Sequence, residues 1–133
     1  MSEKCVIIID DSKYIIGLLE RFFVEQLHFK VVATALDGTE ALDLYRRFKP
    51  DLLTLDLSMP NKDGKDVLKE LINEFPEANI LIISAIRGDA ILQCLSIGAK
   101  GYIEKPLRFS STEFVEDFIE SVKEAVGESE PPK

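Results

Sequence analysis

The sequence predicts an α/β fold built on a five-stranded parallel sheet. Short apolar segments typical of strands alternate five times with longer amphipathic segments typical of helices. The strand segments are continuous aliphatic runs, such as Val6–Ile9 and Ile80–Ile83, as expected for strands that are buried on both faces. Each crossover between parallel strands should be right-handed. We therefore expect the five helices to cover the two faces of the sheet.

The first half of the chain contains three predicted strands and two predicted helices. The strands are residues 6–9, 29–35 and 52–55. The first helix, residues 12–27, repeats apolar side chains at helical spacing. The second helix follows Asp37-Gly38-Thr39-Glu40, an N-cap residue with a glutamate three positions later. It ends before Pro50, because the residue before a proline disfavours the helical conformation.

The second half adds two strands and three helices. The strands are residues 80–83 and 101–103. Pro76 closes the third helix, whose apolar residues run from Val67 to Phe75. The fourth helix, residues 88–97, stops at Gly98, which suits a left-handed position after a helix. The last helix follows the capping box Ser110-Ser111-Thr112-Glu113 and carries apolar residues as far as Val126.

The length of 133 residues fits a single domain. We assign residues 1–126 to this domain and residues 127–133 to a polar, flexible tail. No apolar run approaches the ~20 residues of a membrane helix, and the amino terminus lacks the pattern of a signal peptide. We therefore expect a cytoplasmic protein that does not insert into membranes.

Charge and cysteine content exclude further classes of protein. The chain has 24 acidic and 16 basic residues, a formal net charge of −8. This balance disfavours nucleic acid as a direct partner, because binding to phosphate backbones requires clustered lysine and arginine. Cys5 and Cys94 are far apart in apolar patterns, which favours two buried, reduced thiols over a disulfide or a zinc site.

Polar side chains follow four of the predicted strands at the point where each strand ends. These residues are Asp10 and Asp11, Asp56, Ser84, and Lys105. Because the carboxyl ends of parallel strands meet at one edge of the sheet, where ligands bind, we expect these side chains to converge. A single aspartate at such a place is more often an N-cap or turn residue. The ordered set on four strands favours a shared site.

The chemistry of this set favours a cation and a phosphoryl group. Three neighbouring carboxylates raise one another's pKa, and a bound cation removes that conflict. Oxygen ligands with few protein groups are typical of Mg²⁺. A lysine ammonium suits a phosphoryl oxygen, and an aspartate can act as a nucleophile to form an aspartyl phosphate. Catalysis at such a site consists of positioning and charge neutralisation.

The same residues form motifs that resemble the receiver domain of two-component response regulators. The resemblance covers about residues 4–126 and is greatest for the single-domain, chemotaxis-type (CheY-like) members. It implies a flavodoxin-like fold with strand order 2-1-3-4-5. The matching motifs are Asp10-Asp11, Asp56-Leu57-Ser58-Met59-Pro60, Asp63-Gly64, Ser84-Ala85 and Lys105-Pro106.

The resemblance implies a role for each site residue. Asp56 would accept a phosphoryl group from the phosphohistidine of a sensor histidine kinase. Asp11 and Asp56 would bind Mg²⁺ directly, and Asp10 would act mostly through water. The main-chain carbonyl of Ser58 would be the third protein ligand of the metal. Lys105 would pair with the phosphoryl group.

The resemblance also implies a conformational switch. Ser84 would hydrogen-bond to the phosphoryl group in the active state, and Tyr102 would turn inward as Ser84 moves. An ordinary aromatic at the edge of the sheet is the alternative for Tyr102. Ile86 occupies a position that tunes the phosphoryl lifetime in the family. The Lys105–Pro106 bond matches a cis peptide, whereas the sequence alone favours trans.

These expectations define a phosphorylation-activated signalling receiver rather than an enzyme, apart from its own phosphoryl transfer and autodephosphorylation. Its output would come from docking on another protein, such as a flagellar switch or a phosphorelay component. A receiver cut from a larger response regulator is one alternative. An aspartyl-phosphate phosphatase is another, although haloacid dehalogenase-type enzymes carry an acid/base aspartate where this chain has Ser58. A flavin carrier would need a Gly/Ser/Thr-rich phosphate loop, which does not follow the first strand.

An output surface is one of two interpretations of the fourth helix. Ile91, Leu92 and Leu95, with Ala90 and Tyr102, form an apolar set that suits a partly exposed docking surface. A core-facing stripe explains the same spacing equally well.

Overall fold

The computed structural model describes residues 3–127, in which five strands alternate with five helices. The predicted tail therefore lies outside the described residues, except for Gly127. The strands are β1 (Cys5–Ile9), β2 (Lys30–Ala35), β3 (Leu52–Leu55), β4 (Ile80–Ser84) and β5 (Gly101–Glu104). The helices are α1 (Lys13–Glu25), α2 (Ala41–Phe48), α3 (Gly64–Glu74), α4 (Asp89–Ile97) and α5 (Thr112–Ala125).

The sheet is parallel throughout and has the strand order β2-β1-β3-β4-β5. This confirms the predicted fold class and strand order. Ile9 is aligned with Leu55, and Ser84 with Glu104, so neighbouring strands end at nearly the same level. Main-chain bonds from Asp56 to Ile9 and from Lys105 to Ser84 continue this alignment past the strands. The residues that follow the strands therefore share one edge.

Two apolar layers enclose the sheet, as the continuous aliphatic runs predict. Strand residues of one face, such as Ile7 and Leu53, pack with buried residues of α2, α3 and α4. Those of the other face, such as Val6 and Leu52, pack with α1 and α5. Burial of these aliphatic side chains is the main favourable contribution to the stability of the sheet.

Two predicted helix starts differ from the structure. Asp37 accepts a hydrogen bond from the Thr39 N–H and begins a 3-10 turn at Gly38–Glu40, so that α2 starts only at Ala41. Glu40 makes no side-chain capping bond. The cap of α5 is Ser111 rather than Ser110, because a turn closed by the Ser111 N–H and the Arg108 carbonyl delays the helix by one residue.

Cys94 is buried as expected, whereas Cys5 is only half-buried, and both thiols are free. The Thr54 hydroxyl in β3 is buried and has no hydrogen-bond partner among the described residues.

None of the described helices combines the length and the apolar character that a membrane span requires.

Candidate phosphoacceptor and metal site

The carboxyl edge of the sheet brings the predicted acidic residues together. Asp10 and Asp56, which follow β1 and β3, are almost completely buried, whereas Asp11 is exposed. Each of the three offers a carboxylate oxygen, and these oxygens lie within 4.8 Å of one another. A small cation among these oxygens would offset the repulsion of the three carboxylates, and an all-oxygen donor set fits Mg²⁺. The residues present therefore fit the metal that the sequence predicts.

Lys105 reaches this cluster from the end of β5. Its Nζ lies 2.9 Å from Asp10 Oδ2 and 3.3 Å from Asp56 Oδ2. Burial alone would lower the pKa of the Lys105 ammonium, but the two carboxylates outweigh burial and raise it. The side chain is therefore a cation held between two buried anions, and the shorter contact is to Asp10.

Burial has the largest influence on the pKa of Asp10. It raises the pKa of this carboxyl, and the charge of Asp56 adds to the rise. The bonds from Lys105 and from the Ser12 N–H act in the opposite direction without cancelling it. Ser12 lies at the start of α1, where its own Oγ accepts the Ile15 N–H and caps the helix. The amino end of α1 thus fixes the orientation of Asp10.

The loop between Asp56 and α3 follows a close path around the phosphoacceptor candidate. The Ser58 N–H donates to Asp56 Oδ1 at 3.2 Å, and the Gly64 N–H donates to the Leu57 carbonyl at 3.1 Å. A Cβ atom at Gly64 would lie 2.4 Å from the Leu57 Cα. The motif Asp63-Gly64 therefore needs glycine for this approach, and Asp63 caps α3 through the Lys65 N–H.

Ser84 and Tyr102 are linked through the main chain of Ile86. The buried Ser84 Oγ accepts the Ile86 N–H at 3.2 Å, and the Tyr102 hydroxyl donates to the Ile86 carbonyl. Burial raises the pKa of the Tyr102 hydroxyl, and a hydrogen bond with Ser84 partly opposes that rise. The Lys105–Pro106 peptide is cis, as the resemblance implies. The structure thus places the predicted acidic residues, Ser84 and Lys105 at one edge of the sheet, and Tyr102 lies two residues before the end of β5.

The role of Ile86 as a shared main-chain partner was missed by the sequence analysis. The Ile86 N–H donates to Ser84, and its carbonyl accepts from Tyr102. The type of a residue does not indicate which hydrogen bonds its main chain makes. The Ile86 side chain itself is exposed beside the site. Arg87, the next residue, lies 3.6 Å from a carboxylate oxygen of Glu104, which joins the loop after β4 to the end of β5.

The apolar residues of α4 divide between the two interpretations. Leu92 is 68% exposed and Leu95 is 42% exposed, whereas Ala90 packs against the core. Tyr102 also packs against the core cluster. Part of the set is therefore a core stripe, and two leucines remain on the surface.

Comparisons with known proteins agree with this fold. The family model of the response regulator receiver domain matches residues 6–116. The chain is 33% identical over 106 residues to the chemotaxis protein CheY of Thermotoga maritima. That alignment covers 79% of this chain and 88% of CheY. A chain of the crystal structure of the CheX-CheY-BeF3-Mg²⁺ complex from Borrelia burgdorferi has a TM-score of 0.81 and 31% identity. That alignment covers 90% of this chain and 87% of the other.

A longer relative matches over only part of its length. The chain is 35% identical over 125 residues to protein-glutamate methylesterase/protein-glutamine glutaminase 2 of Nitratidesulfovibrio vulgaris. The match covers 90% of this chain but 34% of the relative. The name of that enzyme therefore describes a protein about three times as long as the matched segment.

The fold and these matches define a receiver-type signalling domain. The chain belongs to the response regulator receiver domain family. Its class of function is thus phosphorylation-activated two-component signalling. A receiver domain is not an enzyme in itself, and the phosphatase alternative is not favoured.

Proposed function

We propose that Asp56 is the residue that accepts the phosphoryl group in this receiver, with a sensor histidine kinase as the donor. The observation that supports this assignment is the contact set of Asp56. Its carboxylate lies beside those of Asp10 and Asp11, and the Lys105 ammonium contacts its Oδ2. The neighbouring carboxylates would hold Mg²⁺ beside Asp56. The Mg²⁺ ion and the Lys105 ammonium are cationic groups that stabilise the charge that develops on the transferred phosphoryl group.

The proposed metal ligands are the carboxylates of Asp11 and Asp56 and the main-chain carbonyl of Ser58, with Asp10 acting mostly through water. Mg²⁺ would supply charge neutralisation at the phosphoryl oxygens. Asp11 is the exposed member of the cluster, which suits a ligand at the solvent side of the site. Asp10 already interacts with Lys105 and the Ser12 N–H, which suits a more distant role.

The transfer proceeds by attack of an Asp56 carboxylate oxygen on phosphorus. A P–O bond forms as the P–N bond to the donor imidazole breaks, and the imidazole nitrogen keeps the bonding electron pair. The Ser58 N–H holds Asp56 Oδ1, which leaves Oδ2 on the side of Lys105. Lys105 then neutralises a phosphoryl oxygen, and the Ser84 hydroxyl, whose Oγ accepts the Ile86 N–H, would turn its proton toward another phosphoryl oxygen.

Phosphorylation by a small donor tests this function. Incubation of the protein with acetyl phosphate and Mg²⁺ should add one acid-stable, base-labile phosphoryl group, measured by intact-protein mass spectrometry. EDTA should prevent the addition, because without a divalent cation the three carboxylates repel the incoming phosphoryl group. Equal incorporation with EDTA would contradict the metal dependence, and failure of the protein to be phosphorylated with Mg²⁺ would contradict the function.

The proposed output surface is the exposed part of α4 together with Tyr102. Phosphorylation would draw Ser84 toward the phosphoryl group and change the Ser84–Ile86–Tyr102 connection, which biases two conformations of the domain. Leu92 and Leu95 give the adjacent surface its apolar contact area. The partner would be a flagellar switch or a phosphorelay component, and the two free thiols favour a cytoplasmic location.

Capture from cell lysate tests the output surface. Protein treated with beryllofluoride, which mimics the phosphoryl group, should retain a partner that untreated protein releases. The Leu92→Ser variant should lose about five- to thirtyfold of this retention, because an exposed apolar anchor at an interface contributes about 1–2 kcal/mol. Val24→Ser, a change at another exposed apolar position on α1, is the matched control. Equal retention by the Leu92→Ser variant would place the partner on another surface.

A further inference from the structure

A side-chain bridge joins the turn after β2 to the loop after β3. Asn61 Nδ2 donates to Asp37 Oδ2 at 3.0 Å. The other oxygen, Asp37 Oδ1, accepts the Thr39 N–H at 2.9 Å and the Thr39 hydroxyl at 2.6 Å. These bonds, those from Thr39 above all, lower the pKa of the Asp37 carboxyl, so it stays ionised. Both carboxylate oxygens thus have fixed partners, and one partner belongs to a different loop.

The packing beneath the bridge brings the two segments close. A Cβ atom at Gly38 would lie 2.4 Å from Val67 Cγ2 of α3 and 3.5 Å from the terminal methyl group of Met59. Glycine therefore lets the turn rest directly on α3 and on the loop. Asn61 has φ 71°, a left-handed conformation that asparagine tolerates better than most residues. The main chain at Asn61 is shaped to direct its amide at Asp37.

Asn61, one end of this bridge, lies within the loop that carries Ser58. On one side of Ser58 the loop is fixed by the bond from its own N–H to Asp56 Oδ1. On the other side the next side-chain hydrogen bond to another element is the Asn61–Asp37 bond, three residues later. The intervening Met59 packs against the core. The direction of the Ser58 carbonyl therefore depends on where Asn61 is held.

We propose that Asp37 and Asn61 are positioning residues that hold the Ser58 carbonyl toward the metal site. This inference rests on the proposed function, in which Ser58 supplies a main-chain oxygen to Mg²⁺. Neither residue touches the metal. Their effect passes through the loop, so it should appear in the affinity for Mg²⁺ as well as in phosphorylation.

An exchange of the two side chains tests the proposal. Asn61→Asp places a carboxylate against Asp37, which breaks the bridge by repulsion and should weaken Mg²⁺ binding about three- to tenfold, as the loss of one hydrogen bond does. Asp37→Asn combined with Asn61→Asp restores an amide and a carboxylate in exchanged positions. The double variant should bind Mg²⁺ within about twofold of the unchanged protein. Isothermal titration calorimetry at fixed ionic strength measures these affinities.

The charge change distinguishes positioning from simple electrostatics. An added negative charge near a cation site strengthens cation binding unless geometry is lost. Asn61→Asp with unchanged or tighter Mg²⁺ binding would therefore overturn the proposal, as would a double variant that binds as weakly as the single one. A change confined to the melting temperature would also overturn it, because that shows a merely structural bond. Failure of the unchanged protein to bind Mg²⁺ would instead contradict the proposed metal site, and this inference with it.

Discussion

The Asp56→Asn variant should show no detectable phosphorylation by acetyl phosphate and Mg²⁺. The substitution replaces a carboxylate nucleophile by a neutral amide, which attacks phosphorus far more poorly. It also removes one of the three clustered carboxylates, so Mg²⁺ binding should weaken. The amide oxygen still accepts the Ser58 N–H, and the Lys105 ammonium keeps its 2.9 Å contact with Asp10. The fold should therefore survive, and intact-protein mass spectrometry should show only unmodified chain.

Asp63→Asn is the matched control for this loss. Asp63 lies in the same loop as Asp56, and its side chain caps α3 through the Lys65 N–H at 2.8 Å. Asparagine caps helices about as well as aspartate, so the control changes the charge of the loop and keeps its structure. It should be phosphorylated at nearly the normal level. Normal incorporation by the Asp56→Asn variant would show that another residue accepts the phosphoryl group.

Much of this site could be predicted because its residues interrupt strong apolar patterns. Asp10, Asp56 and Ser84 each end an aliphatic run, and parallel pairing then places them at one edge. The parts that sequence could not supply depend on distance through space. The contact between Lys105 and Asp10 and the bridge from Asn61 to Asp37 join residues on separate elements, and no local pattern specifies such pairs.

The helix starts were mispredicted for a related reason. A capping box is recognised by residue types, but the residue that caps is the one whose main chain remains extended. The hydrogen bond from the Ser111 N–H to the Arg108 carbonyl closes a turn before α5, so the N-cap residue is Ser111 instead of Ser110. At Asp37 the predicted capping residue does cap, but it caps a 3-10 turn that precedes α2. Tertiary packing of Gly38 against Val67 accompanies this departure.

The Lys105→Ala variant should lose about 100-fold in the rate of phosphorylation. Removal of one preorganised charged or hydrogen-bonding group at the developing charge of a transition state typically costs this much. Mg²⁺ binding alone should persist, because the three carboxylates remain. The measurement is the initial rate of phosphoryl incorporation at saturating Mg²⁺. Lys100→Ala, at an exposed lysine just before β5, is the matched control and should retain the normal rate.

The same substitution should lower the stability of the metal-free protein. Asp10 and Asp56 would remain buried without their cation, and breaking such a buried pair costs about 3 kcal/mol. Added Mg²⁺ should restore more stability to this variant than to the unchanged protein. Urea unfolding with and without Mg²⁺ measures both effects. Equal unfolding midpoints for the variant and the unchanged protein without Mg²⁺ would contradict the buried ion pair.

The pH dependence of the stability that the Lys105→Ala variant loses follows from the pKa of Asp10. Burial raises the pKa of Asp10, and Lys105 opposes the rise, so the Lys105→Ala change should raise that pKa further. A carboxyl whose folded-state pKa is raised contributes most to stability below its unfolded pKa of about 4. That contribution is lost as the pH rises through the folded-state value. The metal-free variant should therefore lose more stability than the unchanged protein as the pH rises above about 4.

The identity of the phosphorylated residue is the most direct test of the account. The protein is treated with acetyl phosphate and Mg²⁺ and then with sodium borohydride, which reduces an acyl phosphate to an alcohol and leaves a phosphoserine unchanged. Peptide mass spectrometry should find homoserine at position 56 and unmodified aspartate at Asp10 and Asp11. Reduction at Asp10 or Asp11 instead, or a borohydride-stable phosphate on Ser58 or Ser84, would contradict the assignment of Asp56 as the phosphoacceptor.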